Sequence, residues 1–212
     1  MSINVIQNQP KGVVIFTSSQ SWAVPPGVYR IKILAIGGGG GGGGGYSSAY
    51  IGGAGSSGSA GYSECSVNPG MVLKIQVGAG GSGGIGGSSP TAGGNGGSSA
   101  VSDPNGVSMV SAPGGGGGSA ATSSANGANA GVPNPAYNLL SAYVIGVFSI
   151  AGNAGSGQGG AYAPALPLGS VASTTGITTL QYYNVGTSGG GGGVNSNGNP
   201  GNAGEVIIWW GD

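Results

Sequence analysis

Residues 37–45 are nine glycines in succession, a run that offers no Cβ for a conventional side-chain core. Ordering each of these backbones costs about 1–2 kcal/mol with no side-chain burial in return. Related tracts recur at 78–97, 114–118 and 189–193, and glycine fills 54 of 212 positions. Packed side by side as extended helices of three residues per turn, such tracts would approach closely and exchange lateral N–H···O=C bonds, with Cα hydrogens facing neighbouring carbonyls. From Gly80 the chain reads Gly-Gly-Ser, Gly-Gly-Ile, Gly-Gly-Ser and, after an interruption, Ala-Gly-Gly and Asn-Gly-Gly. A side chain at every third position leaves two bare edges for packing. At about 3.1 Å per residue the nine-glycine run would reach about 28 Å. Two arrangements stay open at this level: an ordered polyglycine II bundle, or irregular loops held at both ends by a sheet.

Charge narrows the function. The chain has four basic and four acidic residues, no net charge and 38% hydrophobic content, whereas an average chain of this length carries roughly 50 charged side chains. Nucleic-acid binding, which needs clustered Lys and Arg, is excluded. Histidine is absent and Cys65 is the single cysteine, so no His/Cys metal site, catalytic triad or intrachain disulfide is expected. The segment 78–83 matches a dinucleotide-binding glycine pattern, but more glycine follows where a helix is required. No lysine follows a glycine run as a phosphate-binding loop demands. Glu64, Asp103, Glu205 and Asp212 are widely spaced carboxylates with no sign of convergence. The expectation is a non-enzymatic protein without cofactors, with no secretory signal in residues 1–10 and no transmembrane span.

Between the glycine tracts, apolar residues alternate with period two, which reads as β structure. Strands are expected at 12–17, 21–24, 28–36, 61–67, 71–77, 98–102, 107–111 and 205–210. In 28–36, Tyr29, Ile31, Ile33 and Ala35 fall on one face and Arg30 and Lys32 on the other. Asn68-Pro69-Gly70 suggests a hairpin between 61–67 and 71–77. Its register would place Cys65, Val67, Met71, Leu73, Ile75 and Val77 inward and set Glu64 opposite Lys74, an ion pair contributing roughly 0.2–1 kcal/mol. The last strand is apolar on both faces, as a central strand covered on both sides would be. These elements predict an all-β fold: a small antiparallel sandwich or jelly-roll-like base formed by the N- and C-terminal strands. The division expected is a base at 1–111 and 201–212 with its glycine-rich loops, and a Tyr-containing insert at 112–200.

Trp22 and Trp209 are assigned to the scaffold. Tyr137, Tyr143, Phe148, Tyr162, Tyr182 and Tyr183 lie in the insert, and tyrosine is a rigid contact residue with a polar tip. They are candidate receptor or partner contacts, the alternative being that they pack on glycine backbone. The apolar stretch 136–151 is too short and too polar to span a bilayer, and packing within the protein or against a partner is expected.

Trp22-Ala23-Val24-Pro25-Pro26-Gly27-Val28, then Ile31-Lys32-Ile33-Leu34-Ala35-Ile36 running into nine glycines, resembles the glycine-rich domain found mainly in bacteriophage tail-fibre and related virion proteins. Gly61-Tyr62-Ser63-Glu64, Asn68-Pro69-Gly70 and Val77-Gly78-Ala79-Gly80-Gly81 continue the likeness, and Gly201-Asn202-Ala203-Gly204-Glu205-Val206-Ile207-Ile208-Trp209 closes it. The resemblance implies a β base with projecting glycine-rich loops on a virion tail. The function expected from it is that of a tail structural protein at or near the distal end, acting in host attachment as an adhesin-like protein that contacts a glycan or protein receptor. Other tail proteins would be its partners, in a homo-oligomeric or multi-protein assembly, and it would be extracellular when displayed. The alternatives are a tail adaptor joining virion proteins, and a secreted ice-binding or surface-coating protein, for which threonine is too sparse and irregular.

Overall fold

In the computed structural model, residues 10–131, 144–150, 154–155 and 185–211 are described, 144–150 by backbone alone. Among the described residues nine strands form: β1 (Gly12–Phe16), β2 (Gln20–Ala23), β3 (Arg30–Ile36), β4 (Ala60–Ser66), β5 (Val72–Gln76), β6 (Ser99–Ser102), β7 (Ser108–Ala112), β8 (Val144–Ile150) and β9 (Glu205–Trp210). They build a five-stranded sheet, β1-β9-β3-β4-β8, and a four-stranded sheet, β2-β5-β6-β7, antiparallel throughout. The fold is all-β, and the first and last strands pair directly, Gly12 opposite Trp210 and Phe16 opposite Val206.

The alternating pattern sorts the side chains as expected. Ile31, Ile33, Ala35, Cys65, Leu73, Ile75, Val101, Val110, Val206 and Ile208 fill the space between the sheets. Ser63 crosses that core, its hydroxyl donating to the Met109 carbonyl at 2.8 Å. β9 is covered on both faces, because Ile207 and Trp209 belong to a second cluster with Leu34, Ile36 and Ala60. Trp22 sits in an aromatic group with Phe16 and Trp210, at centroid distances of 6.3 and 5.6 Å. Tyr29 departs from the expected strand face: it precedes β3 and is exposed.

The predicted hairpin is corrected. β4 pairs with β3 and β8, and β5 with β2 and β6, so the two strands lie in different sheets. The Asn68-Pro69-Gly70 turn does form, with the Met71 amide donating to the Asn68 carbonyl and Gly70 at φ 81°. Its flanks, however, bond to the β2–β3 connection: Val67 N–H to Tyr29, Gly70 N–H to Val24, and Val24 N–H to Met71. The chain therefore arches from one sheet to the other. Glu64 stands opposite Lys32 and meets Arg30 at 3.3 Å, while Lys74 lies between Ser21 and Ser102. An arch and a hairpin both turn one face inward, so the same alternation serves either.

Cys65 is fully buried, and desolvation, with Glu64 adding a smaller contribution, pushes its thiol up to about 12. The native thiol is thus protonated at neutral pH and should react with a disulfide reagent only through unfolding. A thiol titration is expected to show no fast reaction in buffer and full reaction in guanidinium; fast stoichiometric reaction of the native protein would contradict this burial.

Candidate functional site: a polyglycine bundle and its tip

Residues 37–45 continue β3 and form the axis of a bundle in which, among the described residues, six helices surround it and a further one, 126–130, bonds outside the ring to Ile51, Ala54 and Ser119. The amides of Gly38, Gly41 and Gly44 bond the carbonyls of Gly97, Gly94 and Thr91. Those of Gly39, Gly42 and Gly45 bond Asn202, Asn199 and Ser196, and those of Gly37, Gly40 and Gly43 bond Ser59, Ser56 and Gly53. Each step of three forward is a step of three backward on the neighbour, the signature of three residues per turn and of antiparallel packing. The central carbonyls serve three parallel neighbours. Gly39, Gly42 and Gly45 accept from Gly81, Gly84 and Gly87; Gly38, Gly41 and Gly44 from Gly115, Gly118 and Ala121; and Gly40 and Gly43 from Gly189 and Gly192.

The six neighbours also bond one another in a closed ring, in the order 52–59, 113–121, 91–97, 78–87, 196–204, 186–193 and back to 52–59. Parallel and antiparallel helices alternate around the axis. The ordered bundle is thus the arrangement that forms, and its geometry explains the uninterrupted run. A Cβ on Gly40, Gly41 or Gly42 would overlap the carbonyl oxygen of Gly116, Ser82 or Gly190 respectively, so successive residues point at three different backbones. No position on the axis has room for a side chain. In the ring helix 78–87 every third residue faces solvent, as Ala79, Ser82 and Ile85 do, whereas 52–59 is buried throughout.

Side chains complete the bonding where the ring runs out of neighbours. Asn95, Asn126, Asn129 and Asn197 accept, through Oδ1, the amides of Gly117, Ile51, Ala54 and Gly86 at 2.8–2.9 Å. Ser99 welds bundle to sandwich: its buried hydroxyl accepts the Gly78 amide at 3.0 Å and donates to the Ile36 carbonyl at 2.6 Å.

Because most helices of the bundle continue strands at one end, their turns gather at the other. Four turns meet there, at 46–50, 88–90, 122–125 and 194–195. Tyr46 is the hub. It bridges to Gly87 in parallel, its carbonyl accepts the Asn195 amide, and its own amide closes the first turn on Tyr50. Ile51, just beyond, binds Asn126 and Gly127 of the third turn's return helix. The tip exposes Ser47, Ser48, Ser88, Ser89, Thr122, Ser123, Ser124, Asn195 and Ser196, with Val194 beside them. Asn195 holds a left-handed backbone at φ 56°, a conformation asparagine tolerates better than most residues. No charged residue occurs in the tip, the axis, the ring or the return helix 126–130.

Among the described residues, the charged ones lie in the strands of the sandwich or next to them. Among the described residues no group of three His, Cys, Asp or Glu could hold a metal, and no helix is long and apolar enough to cross a membrane. Burial raises the Glu205 carboxyl at the junction above its ordinary value. The folded state therefore favours protonated Glu205; that stabilisation is present below the unfolded carboxylate's pKa and is lost as pH rises through the folded value. Acidification from pH 7 to 4 should leave the melting temperature level or slightly raised. A fall beyond about 4 °C, which for a chain of this size means about 1 kcal/mol or more, would contradict this.

Of the candidate contacts named from sequence, Tyr137, Tyr143, Tyr162, Tyr182 and Tyr183 lie outside the described residues. Phe148 is on β8, opposite Tyr62, with its side chain also outside them. The apolar stretch 136–151 thus supplies an edge strand of the five-stranded sheet. The tip was not anticipated. Its signal was present in the short Ser, Thr and Asn clusters that interrupt the glycine tracts, among them Ser47-Ser48, Ser88-Ser89 and Thr122-Ser123-Ser124.

The described residues thus form a β sandwich that grows a polyglycine bundle and gathers its turns at the far end. The chain belongs to the glycine-rich domain family, which matches it over residues 15–206. No curated relative matches it.

Proposed function

We propose that this protein acts at or near the distal end of a virion tail in host attachment, with the bundle tip as its recognition surface. The observation that carries the reading is the convergence of four uncharged turns, rich in Ser, Thr, Asn and Tyr, on the free end of a cross-bonded bundle. That residue set is the one favoured in antibody paratopes, where hydroxyls and amides adapt and tyrosine supplies rigid area. The backbone beneath it is already ordered, so binding would not need to order it again. The likeness to virion tail proteins, through the family's Trp-Ala-Val-Pro-Pro-Gly and Val-Gly-Ala-Gly-Gly segments, supports the setting.

With no charge at the tip, binding should be nearly independent of salt between low and high ionic strength. Antibody to residues 46–50 is expected to label intact particles at the tail end, and soluble protein is expected to compete with particle adsorption to host cells. A variant carrying Ser48→Lys and Ser124→Lys should fold normally and lose most of that competition. Labelling only after tails are disrupted, or full competition by the double variant, would overturn the attachment reading; the first result would point to the tail-adaptor role.

A further inference from the structure

Four asparagines precede glycine: Asn95, Asn105, Asn126 and Asn197. In such a pair the glycine amide nitrogen, unhindered by a side chain, attacks the asparagine Cγ. An N–Cγ bond forms and the carboxamide C–N bond breaks. The amide proton leaves with the departing nitrogen as ammonia, and a succinimide remains. Water opens that ring to aspartate or isoaspartate, so water is the sole co-reactant.

All four side chains are exposed, so solvent access does not separate them. Hydrogen bonding does. Asn95 Oδ1 accepts the Gly117 amide at 2.8 Å while the Gly96 amide donates to Gly115 at 2.8 Å. Asn197 Oδ1 accepts the Gly86 amide at 2.8 Å while Gly198 donates to Gly84 at 2.8 Å. Asn126 Oδ1 accepts the Ile51 amide at 2.9 Å while Gly127 donates to the Ile51 carbonyl at 2.8 Å. In each case the electrophilic carboxamide and the nucleophilic nitrogen are both fastened to a neighbouring helix, and cyclisation requires both bonds to open within a cross-bonded bundle. Asn105 differs. It lies in the exposed β6–β7 turn, its carboxamide makes no hydrogen bond among the described residues, and the Gly106 amide has one turn bond, to Asp103, at 3.0 Å.

We propose that Asn105 is this protein's site of spontaneous deamidation, and that the paired bonds clamping adjacent helices shield the three Asn-Gly pairs of the bundle. The modification adds a carboxylate to a chain with no net charge, close to the buried Asp103. The isoaspartate product also lengthens the main chain of the turn. Chemical ageing is thereby directed into the sandwich and away from the tip.

The test is incubation of the full chain in mildly alkaline buffer, followed by isoelectric focusing and peptide mass mapping. Asn105 should convert more than about tenfold faster than Asn95, Asn126 or Asn197, the margin expected when those sites require local opening of the bundle. In guanidinium the four should convert at similar rates. Asn105→Gln should abolish the first acidic species of the folded protein. Conversion of any bundle Asn-Gly pair as fast as Asn105, first loss at the left-handed Asn195, or an Asn105 that survives in the fold but not in denaturant would each overturn the proposal.

Discussion

Replacing Gly41 by alanine is expected to destabilise the protein by at least about 3 kcal/mol, at or above the upper end of ordinary overpacking. The new methyl would overlap the Ser82 carbonyl oxygen and press on its carbon, and both atoms are main chain held by the ring. A flexible side chain would swing aside; here a whole helix must shift, taking with it the bonds from Gly81 to Gly39 and from Gly84 to Gly42. Gly116→Ala is the matched control. A Cβ there meets nothing closer than the Ala130 methyl at 3.5 Å and the Ser56 hydroxyl at 3.7 Å, ordinary contact distances. Denaturant melts of the two variants, with wild type alongside, should show a large loss for the first and a change within about 1 kcal/mol for the second, since alanine also restricts the unfolded chain. Equal, small effects would mean that the axis is not close-packed.

The second large effect is expected at Trp209. The ring is buried on the outer face of the five-stranded sheet against Tyr62, at a centroid distance of 5.9 Å, and belongs to the cluster of Leu34, Ile36, Ala60 and Ile207. Trp209→Ala removes that area and leaves a cavity, a change that costs about 3–5 kcal/mol in comparable cores. Its indole N–H is buried and finds no hydrogen-bond partner among the described residues. Trp209→Phe therefore deletes an unsatisfied donor together with part of the ring, and the two contributions offset. The phenylalanine variant should lie within about 1.5 kcal/mol of wild type, the range for conservative core exchanges. If alanine and phenylalanine cost the same, the ring's area is not what holds this face.

The parts legible in sequence were those with a local cause. Period-two alternation located most strands, and the doubly apolar 205–210 segment identified β9 as covered on both faces. The Asp103-Pro104-Asn105-Gly106 turn was legible for the same reason: Gly106 takes φ 85° and the Asp103 carboxylate accepts the Val107 amide at 2.7 Å. The three-residue spacing after Gly80 revealed the helical period of the glycine tracts. What sequence left open was which neighbour each element meets. Glu64 and Lys74 were set opposite each other because a short Pro-Gly turn suits a hairpin, and only the bonds of that turn to Val24 and Tyr29 divert the chain between sheets. The tip was hidden for a related reason. Ser47, Ser88, Thr122 and Asn195 lie far apart in the chain, and their meeting depends on the ring of helices having closed behind them.

That closure is tested most directly by native-state hydrogen exchange on protein labelled at glycine nitrogen. The amides of residues 37–45, all bonded to the helices of the ring, are expected to exchange as slowly as those of β3 and β9, through global unfolding. Exchange of these nine amides at the rate of an unstructured glycine peptide, while the strands stay protected, would contradict a bonded axis and return the tracts to loops hung from a sheet.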